Sequence, residues 1–132
     1  MLRPVEAPAG RPAGAPAGRP LASIKDLCLD AGDHHALADW WCRVLGYTRD
    51  DEGREPGDPV LLRPGATGGL PLWVNPVPEP KTAKNRLHVD LFGDTAEILA
   101  AGAVLLRRDE GNGWDVLADP EGNEFCVFPP RD

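Results

Sequence analysis

The chain has 132 residues, of which 42% are hydrophobic and 27% charged, a balance typical of a single globular domain. The formal net charge of −7 argues against nucleic acid as a partner, because proteins that bind a phosphate backbone need a basic face. No apolar stretch approaches the roughly 20 residues of a membrane span. With no signal-peptide pattern and three widely spaced cysteines, we expect a cytoplasmic protein with free thiols.

Prolines recur at every fourth position from Pro4 to Pro20, and the residues between them are mainly alanine and glycine. This composition leaves little to bury, and proline removes backbone hydrogen-bond donors. We therefore expect residues 1–20 to form a disordered tail. Residues 21–132 contain nearly all the acidic residues and the aromatic ones, and we expect them to form the folded domain.

The domain opens with a segment in which polar and apolar residues alternate, residues 23–30. Side chains alternate between the two faces of a strand, so this pattern predicts a β-strand. Leu27 and Leu29 would lie on its apolar face, and Asp26 and Cys28 on its polar face. One face of this first strand is therefore a place where polar side chains can gather.

An amphipathic helix is predicted next, over residues 34–45, because apolar residues recur there at helical spacing. Asp33 is placed as its N-cap, and Gly46 as the residue that ends it. Three short strands should follow, since leucine-, valine- and tryptophan-containing segments are separated by glycine-rich turns. These predicted strands cover residues 47–49, 60–63 and 70–75.

A proline-rich linker, residues 76–85, separates this half of the domain from a second copy of the same order. In this second copy the pattern predicts one strand, one short helix and three more strands, at residues 86–91, 95–101, 104–107, 114–118 and 124–128. One such half is too small to bury its sheet alone. We therefore predict an α+β fold of two paired βαβββ modules, about residues 23–75 and 86–129.

Three segments of the sequence resemble the glyoxalase/bleomycin-resistance/dioxygenase family, also called the vicinal oxygen chelate superfamily, and in particular its compact bacterial glyoxalase-like branch. These segments read LCLDAGDHHALADWWCRVLGY, KNRLHVDL and WDVLADPEGNEFCVF. The resemblance covers about residues 23–129. It implies two βαβββ modules that form a curved eight-stranded cup, with the ligand inside the cup. Typical members bind a divalent metal through the first and last strands of each module.

The resemblance places the four metal-ligand positions at Asp26, at Trp73 or Asn75, at His88 and at Cys126. Only His88 is a residue type that the family uses there, and a tryptophan is not a metal ligand. We therefore expect no tightly bound, stoichiometric divalent ion and no other cofactor. A carboxylate, an imidazole and a thiolate nevertheless form a donor set that suits zinc.

Polar side chains on separate predicted strands define the candidate site, because gathering them in a cup is costly unless they are paired or used. His88 is its centre, either as a general base, a hydrogen-bond donor or a metal ligand, or as a histidine that simply bonds Asp90. Asp26 and Asp90 complete the catalytic candidates. The ligand-binding candidates share the predicted cup and its margin: Trp73, Asn75, Arg86, Trp114, Cys126 and Cys28.

Two functions of different classes fit these residues. One is a metal-independent lyase, isomerase or cyclase that uses His88 on a small carbonyl or phenolic metabolite. The other is a non-catalytic protein that sequesters a drug or metabolite, as bleomycin-resistance members do. His88 with its acidic neighbours Asp26 and Asp90 motivates the first; the lost metal ligands, the tryptophans and an acidic charge that would suit a cationic guest motivate the second. Open sheet edges and a short second helix further predict a homodimer.

Overall fold

The computed structural model describes residues 18–131, so the predicted disordered tail lies outside the described residues except for positions 18–20. Eight strands and two helices occur in the order β1 (Leu27–Ala31), α1 (His34–Leu45), β2 (Thr48–Asp50), β3 (Val60–Arg63), β4 (Leu72–Pro76), β5 (Asp90–Phe92), α2 (Thr95–Ala100), β6 (Val104–Arg107), β7 (Asp115–Ala118) and β8 (Glu124–Phe128). The βαβββ order thus occurs twice, and the predicted α+β fold class is confirmed. Among the described residues, neither helix is long and apolar enough to cross a membrane.

Each module folds into one four-stranded mixed sheet. The strand order is β1-β4-β3-β2 in the first module and β5-β8-β7-β6 in the second. The last three strands of each module pair antiparallel because short loops join them, whereas the helix carries the chain from the first strand to the far edge. The fourth strand of each module then fills the place beside the first, in parallel.

Helix α1 has the predicted ends because both of its capping residues satisfy backbone groups. The Asp33 carboxylate accepts a hydrogen bond from the Ala36 amide at 3.1 Å. At the other end Gly46 adopts a left-handed conformation with φ 71°, which a residue with a Cβ adopts only at a cost. The helix therefore presents one apolar stripe, and this stripe packs on the first sheet.

One hydrophobic core connects α1 to both sheets. Buried members from the helix and from each sheet include Leu37, Trp41, Leu62, Val74, Leu117 and Phe125. Because side chains alternate along a strand, each sheet has a second face that points away from this core. We call that second face the open face, and it carries Cys28, Asp30, Trp73 and Asn75 in the first sheet and Asp90, Phe92, Cys126 and Phe128 in the second.

Two tryptophans of α1 join the first module to the second. The indole of Trp40 donates to the carbonyl of Ala101 at 2.9 Å, and the indole of Trp41 donates to the carboxylate of Asp119 at 2.9 Å. The Trp41 ring also meets Phe125 edge-on at 5.2 Å between centroids. The two modules are thus paired within a single chain.

Two strands, β1 and β5, begin four residues later in the structure than the sequence predicts. Strand β1 begins at Leu27, so Asp26 precedes it, and β5 begins at Asp90, so residues 86–89 precede it. In the predicted strand 86–91, alternation would turn Leu87 toward the helices; that expectation is wrong, because the residue is 82% exposed. The pairing of β5 with β8 ends at Asp90 and Cys126, with one further bond from the Cys126 amide to the Val89 carbonyl. Leu87 therefore has no sheet neighbour to bury it.

Candidate functional site

A cavity of about 600 Å³ lies between the two modules, where the first strand of one sheet faces the first strand of the other. Apolar side chains of both modules line most of it, among them Leu27, Leu29, Trp41, Leu72, Val89 and Phe125. A few polar groups lie at its margin: Asp26, Cys28, Asn85, His88 and Glu124. Apolar walls with a few polar groups are typical of sites that bind small organic molecules.

Asp26 is held in place by its neighbours at one side of this cavity. Its largely buried carboxylate accepts hydrogen bonds from the Trp73 indole at 3.1 Å and from the Lys25 ammonium group. The Cys28 thiol lies 3.8 Å from the other carboxylate oxygen. The hydrogen bond from Lys25 lowers the pKa of Asp26 below its ordinary value, against the opposing effect of burial. Asp26 is therefore ionised at neutral pH and acts here as an acceptor.

Two neighbouring side chains already contact Trp73, which lies on the open face. Its indole N–H is used by Asp26, and the guanidinium of Arg54 lies over its ring at 4.9 Å from the ring centre. Asn75, further along the same strand, has its amide 3.5 Å from the Asp30 carboxylate. Both residues remain predicted ligand contacts, and Arg54 already covers one face of the Trp73 ring.

Of the six ligand-binding candidates only Cys28 lines this cavity; Trp73, Asn75 and Cys126 lie on the open face, and Arg86 and Trp114 line other cavities. Arg86 lines a second cavity of about 390 Å³, on the linker side of β1, which it shares with Cys28. Trp114 stacks on Phe128 with 5.4 Å between ring centres, and it lines a third cavity of about 320 Å³ beside Asp115. The structure therefore places Trp114 in a different cavity from His88, whereas the cavity lined by Arg86 shares Cys28, Asn85 and Leu87 with the one lined by His88.

His88, Asp90 and Cys126 come together at the edge of the second sheet. Their nitrogen, oxygen and sulfur donor atoms all lie within 4.8 Å of one another, and His88 Nδ1 is 3.8 Å from Asp90 Oδ1. The strand register explains two of the three positions, because Asp90 and Cys126 are direct partners in the β5–β8 pair. Burial raises the pKa of the Cys126 thiol, and the nearby Asp90 carboxylate raises it further. Cys126 is thus a thiol at neutral pH and a weak nucleophile.

The four positions that the family resemblance assigns to a metal do not fit one in this chain. Trp73 contributes an N–H donor instead of a ligand, and its hydrogen bond occupies the Asp26 carboxylate together with Lys25. The remaining two positions, His88 and Cys126, are donors, and Asp90 stands beside them as a third. The second module thus contains a His/Asp/Cys group that shares His88 and Cys126 with the four-position set and adds Asp90.

Glu124 was missed by sequence reasoning, although it lies at the margin of the cavity. Its carboxylate forms an ion pair with Lys81 and accepts a hydrogen bond from the Asn85 amide at 3.0 Å. Burial alone would raise the pKa of Glu124, but these hydrogen bonds and the lysine charge outweigh it and lower the pKa. These contacts attach the linker to β8. The linker has no periodicity, so the sequence carries no signal for them.

The comparisons with known proteins identify the family. Residues 26–128 match the family model described as a glyoxalase-like domain, and the chain belongs to that family. The resemblance to the glyoxalase/bleomycin resistance/dioxygenase family is thereby confirmed. No curated protein matches the sequence.

Solved structures share the fold at low sequence identity. A glyoxalase/bleomycin resistance protein/dioxygenase family enzyme from Burkholderia phytofirmans is 21% identical, with a TM-score of 0.62 over 83% of this chain and 100% of that chain. The fosfomycin resistance protein FosX from Listeria monocytogenes, complexed with Mn(II), is 11% identical, with a TM-score of 0.62 over 84% and 92%. TnmS3, an antibiotic binding protein from Streptomyces, is 15% identical, with a TM-score of 0.54 over 86% and 100%.

Proposed function

We propose that this protein binds a small, largely apolar organic molecule in the cavity between its modules and holds it without transforming it. The observation that carries this proposal is the cavity of about 600 Å³ with apolar walls from both modules. Its volume suits a drug-sized ligand. The structural likeness to an antibiotic binding protein supports a sequestering role.

The charges at the margin of the cavity favour an uncharged ligand. Asp26 is paired with Lys25, and Glu124 is paired with Lys81, so each of these carboxylates already has a cation. A cationic guest would have to compete with both lysines. The net negative charge of the protein therefore attracts cations to its surface, but it does not favour a cation inside the cavity.

A second candidate function is that of a lyase, isomerase or cyclase with His88 as its general base. The specific observation that favours it is the place of His88, which lines the cavity and has Nδ1 3.8 Å from a carboxylate oxygen of Asp90. A carboxylate beside an imidazole helps to orient the ring for proton transfer. The raised pKa of Cys126 argues against a mechanism with a cysteine nucleophile.

A ligand screen distinguishes these two functions. Neutral aromatic and polycyclic compounds are titrated into the protein while its tryptophan fluorescence is recorded, since Trp41 lines the cavity. We expect saturable binding with one site per chain, and mass spectrometry should recover the compound unchanged. If the compound is converted, and His88→Gln stops the conversion with binding kept within about threefold, the enzyme is the correct assignment. Failure of every apolar compound to saturate would contradict the proposed binding function.

We also propose that the protein is a homodimer. Strand β6 ends the second sheet, and its Val104 and Leu106 side chains are each more than half exposed. An unpaired edge strand with exposed apolar side chains is a surface that proteins usually cover. Light scattering at micromolar concentration is expected to give twice the mass of the chain, and Leu106→Lys should shift it toward the mass of one chain. A monomeric wild-type protein would contradict the proposal.

A further inference from the structure

Two neighbouring cavities meet at Asn85. The cavity of about 600 Å³ between the modules and the second cavity of about 390 Å³ have these lining residues in common: Cys28, Leu29, Asn85, Leu87 and Asn123. The first cavity has mostly apolar walls, whereas the second is lined by several charged side chains: Asp30, Glu79, Lys81, Arg86 and Glu121. A ligand with its apolar body in the first cavity would therefore place its polar end beside Asn85.

A chain of hydrogen bonds fixes the direction in which the Asn85 side-chain amide points. It starts at the buried Asp119 carboxylate, which accepts bonds from the Trp41 indole and from Asn123 Nδ2, at 2.9 Å each. Because Asn123 uses its Nδ2 in this way, its Oδ1 is the atom that accepts the bond from Asn85 Nδ2, at 3.2 Å. The carbonyl oxygen of the Asn85 side chain, Oδ1, is therefore turned away from Asn123.

This oxygen is accessible and has no partner. Asn85 is half-buried, and no hydrogen bond from another group in residues 18–131 reaches its Oδ1. Within the same part of the chain, every fully buried side-chain nitrogen or oxygen has a hydrogen-bond partner, so this oxygen is not sealed inside the protein. The Asn85 backbone amide donates to the Glu124 carboxylate at 3.0 Å and holds the residue in place. Asn85 Oδ1 is thus a preorganised hydrogen-bond acceptor.

Most other polar groups around the first cavity are already used within the protein. The indole N–H of Trp41 and the hydroxyl of Tyr47 both donate to protein oxygens. The two carboxylates at the margin of the cavity are each paired with a lysine. Among the described lining residues, Asn85 therefore offers a neutral acceptor in a fixed orientation, whereas the His88 side chain is 40% exposed.

We propose that Asn85 selects ligands that carry a hydrogen-bond donor, a hydroxyl or an amide N–H, at one end of an apolar body. This inference rests on the proposed binding function and names the class of ligand. A ketone or an ether at that end would bring two acceptor oxygens together. A methyl group there would cover Asn85 Oδ1 and give it no hydrogen bond, which is unfavourable.

Two compounds of nearly equal shape test this inference. 4-Phenylphenol and 4-methylbiphenyl carry a hydroxyl and a methyl group at the same position, and their affinities are measured by displacement of Nile red. We expect the wild-type protein to bind 4-phenylphenol at least as tightly, although it is the less apolar compound. In Asn85→Ala the ratio of the two affinities should shift at least about fivefold toward 4-methylbiphenyl, the effect of one neutral hydrogen bond. The matched control Asn112→Ala, in the exposed loop between β6 and β7, should keep the wild-type ratio.

Three results would overturn this inference and leave the proposed function standing. The first is tighter binding of 4-methylbiphenyl than of 4-phenylphenol by the wild-type protein, a comparison that decides the matter even if Asn85→Ala does not fold. The second is an affinity ratio that stays the same in Asn85→Ala. The third is wild-type protein that binds Nile red but releases it to neither compound. If Nile red itself does not bind saturably, the proposed function fails and this inference fails with it.

Discussion

Asp119→Ala is expected to lower the free energy of unfolding by about 3–5 kcal/mol. Asp119 is 1% exposed, and its carboxylate accepts hydrogen bonds from the Trp41 indole, from the Asn123 side-chain amide and from the backbone amides of Glu121 and Asn123. The alanine would leave these buried donors without a partner. Because one of them belongs to α1, the change also weakens the contact between the two modules.

Chemical denaturation followed by circular dichroism measures this effect. Glu110→Ala is the matched control, since it removes an exposed acidic side chain from the same module, and it should change the unfolding free energy by less than about 0.5 kcal/mol. Trp41→Phe, which removes one of the donors and keeps an aromatic ring, should have an intermediate effect. A loss below about 1 kcal/mol in Asp119→Ala would show that this carboxylate does not hold the modules together.

Val89→Trp is expected to weaken ligand binding at least about tenfold, which corresponds to about 1.4 kcal/mol. Val89 is half-buried and lines the cavity on the side of the second module, so the larger ring would occupy volume that the ligand needs. The backbone carbonyl of Val89 still accepts its bond from the Cys126 amide, because a side-chain replacement leaves it in place. The fold should therefore survive the change.

Displacement of the environment-sensitive neutral dye Nile red measures the loss of binding in this variant. Thr48→Trp serves as the matched control, because threonine has nearly the shape of valine and this position is exposed on β2, at the far edge of the first sheet. The control should bind the dye as the wild-type protein does. Equal dye affinity in Val89→Trp and wild type would place the ligand elsewhere and remove the basis of the proposed function.

Much of the architecture could be read from the sequence because it follows from local patterns. The limits of α1, β3, β6 and β8 match their predicted residues, since caps, alternation and helical spacing act over a few neighbouring positions. The two-module repeat was visible for the same reason. At residues 86–89 the alternating pattern is present but no neighbouring strand pairs with it. The predicted strand therefore begins earlier than β5 does in the structure.

The candidate site was predictable only in part. Strand alternation placed Asp90 and Cys126 on one face, and the family resemblance singled out His88, but neither shows which donors come within reach of one another. That depends on the register of β5 against β8, in which Asp90 is opposite Cys126. The pairing of Asp26 with Trp73 likewise depends on β1 lying beside β4.

By itself the sequence determined the two βαβββ modules, the face of each strand that is apolar and the family, because these follow from residue types at short spacing. The tertiary structure alone decided how the modules meet, that the linker is attached to Glu124 through Lys81, and that Leu87 is exposed. It also decided which polar groups are already paired and which are not. The physical reason is that contacts between distant segments depend on register and on the path of an aperiodic linker, and local propensity constrains neither.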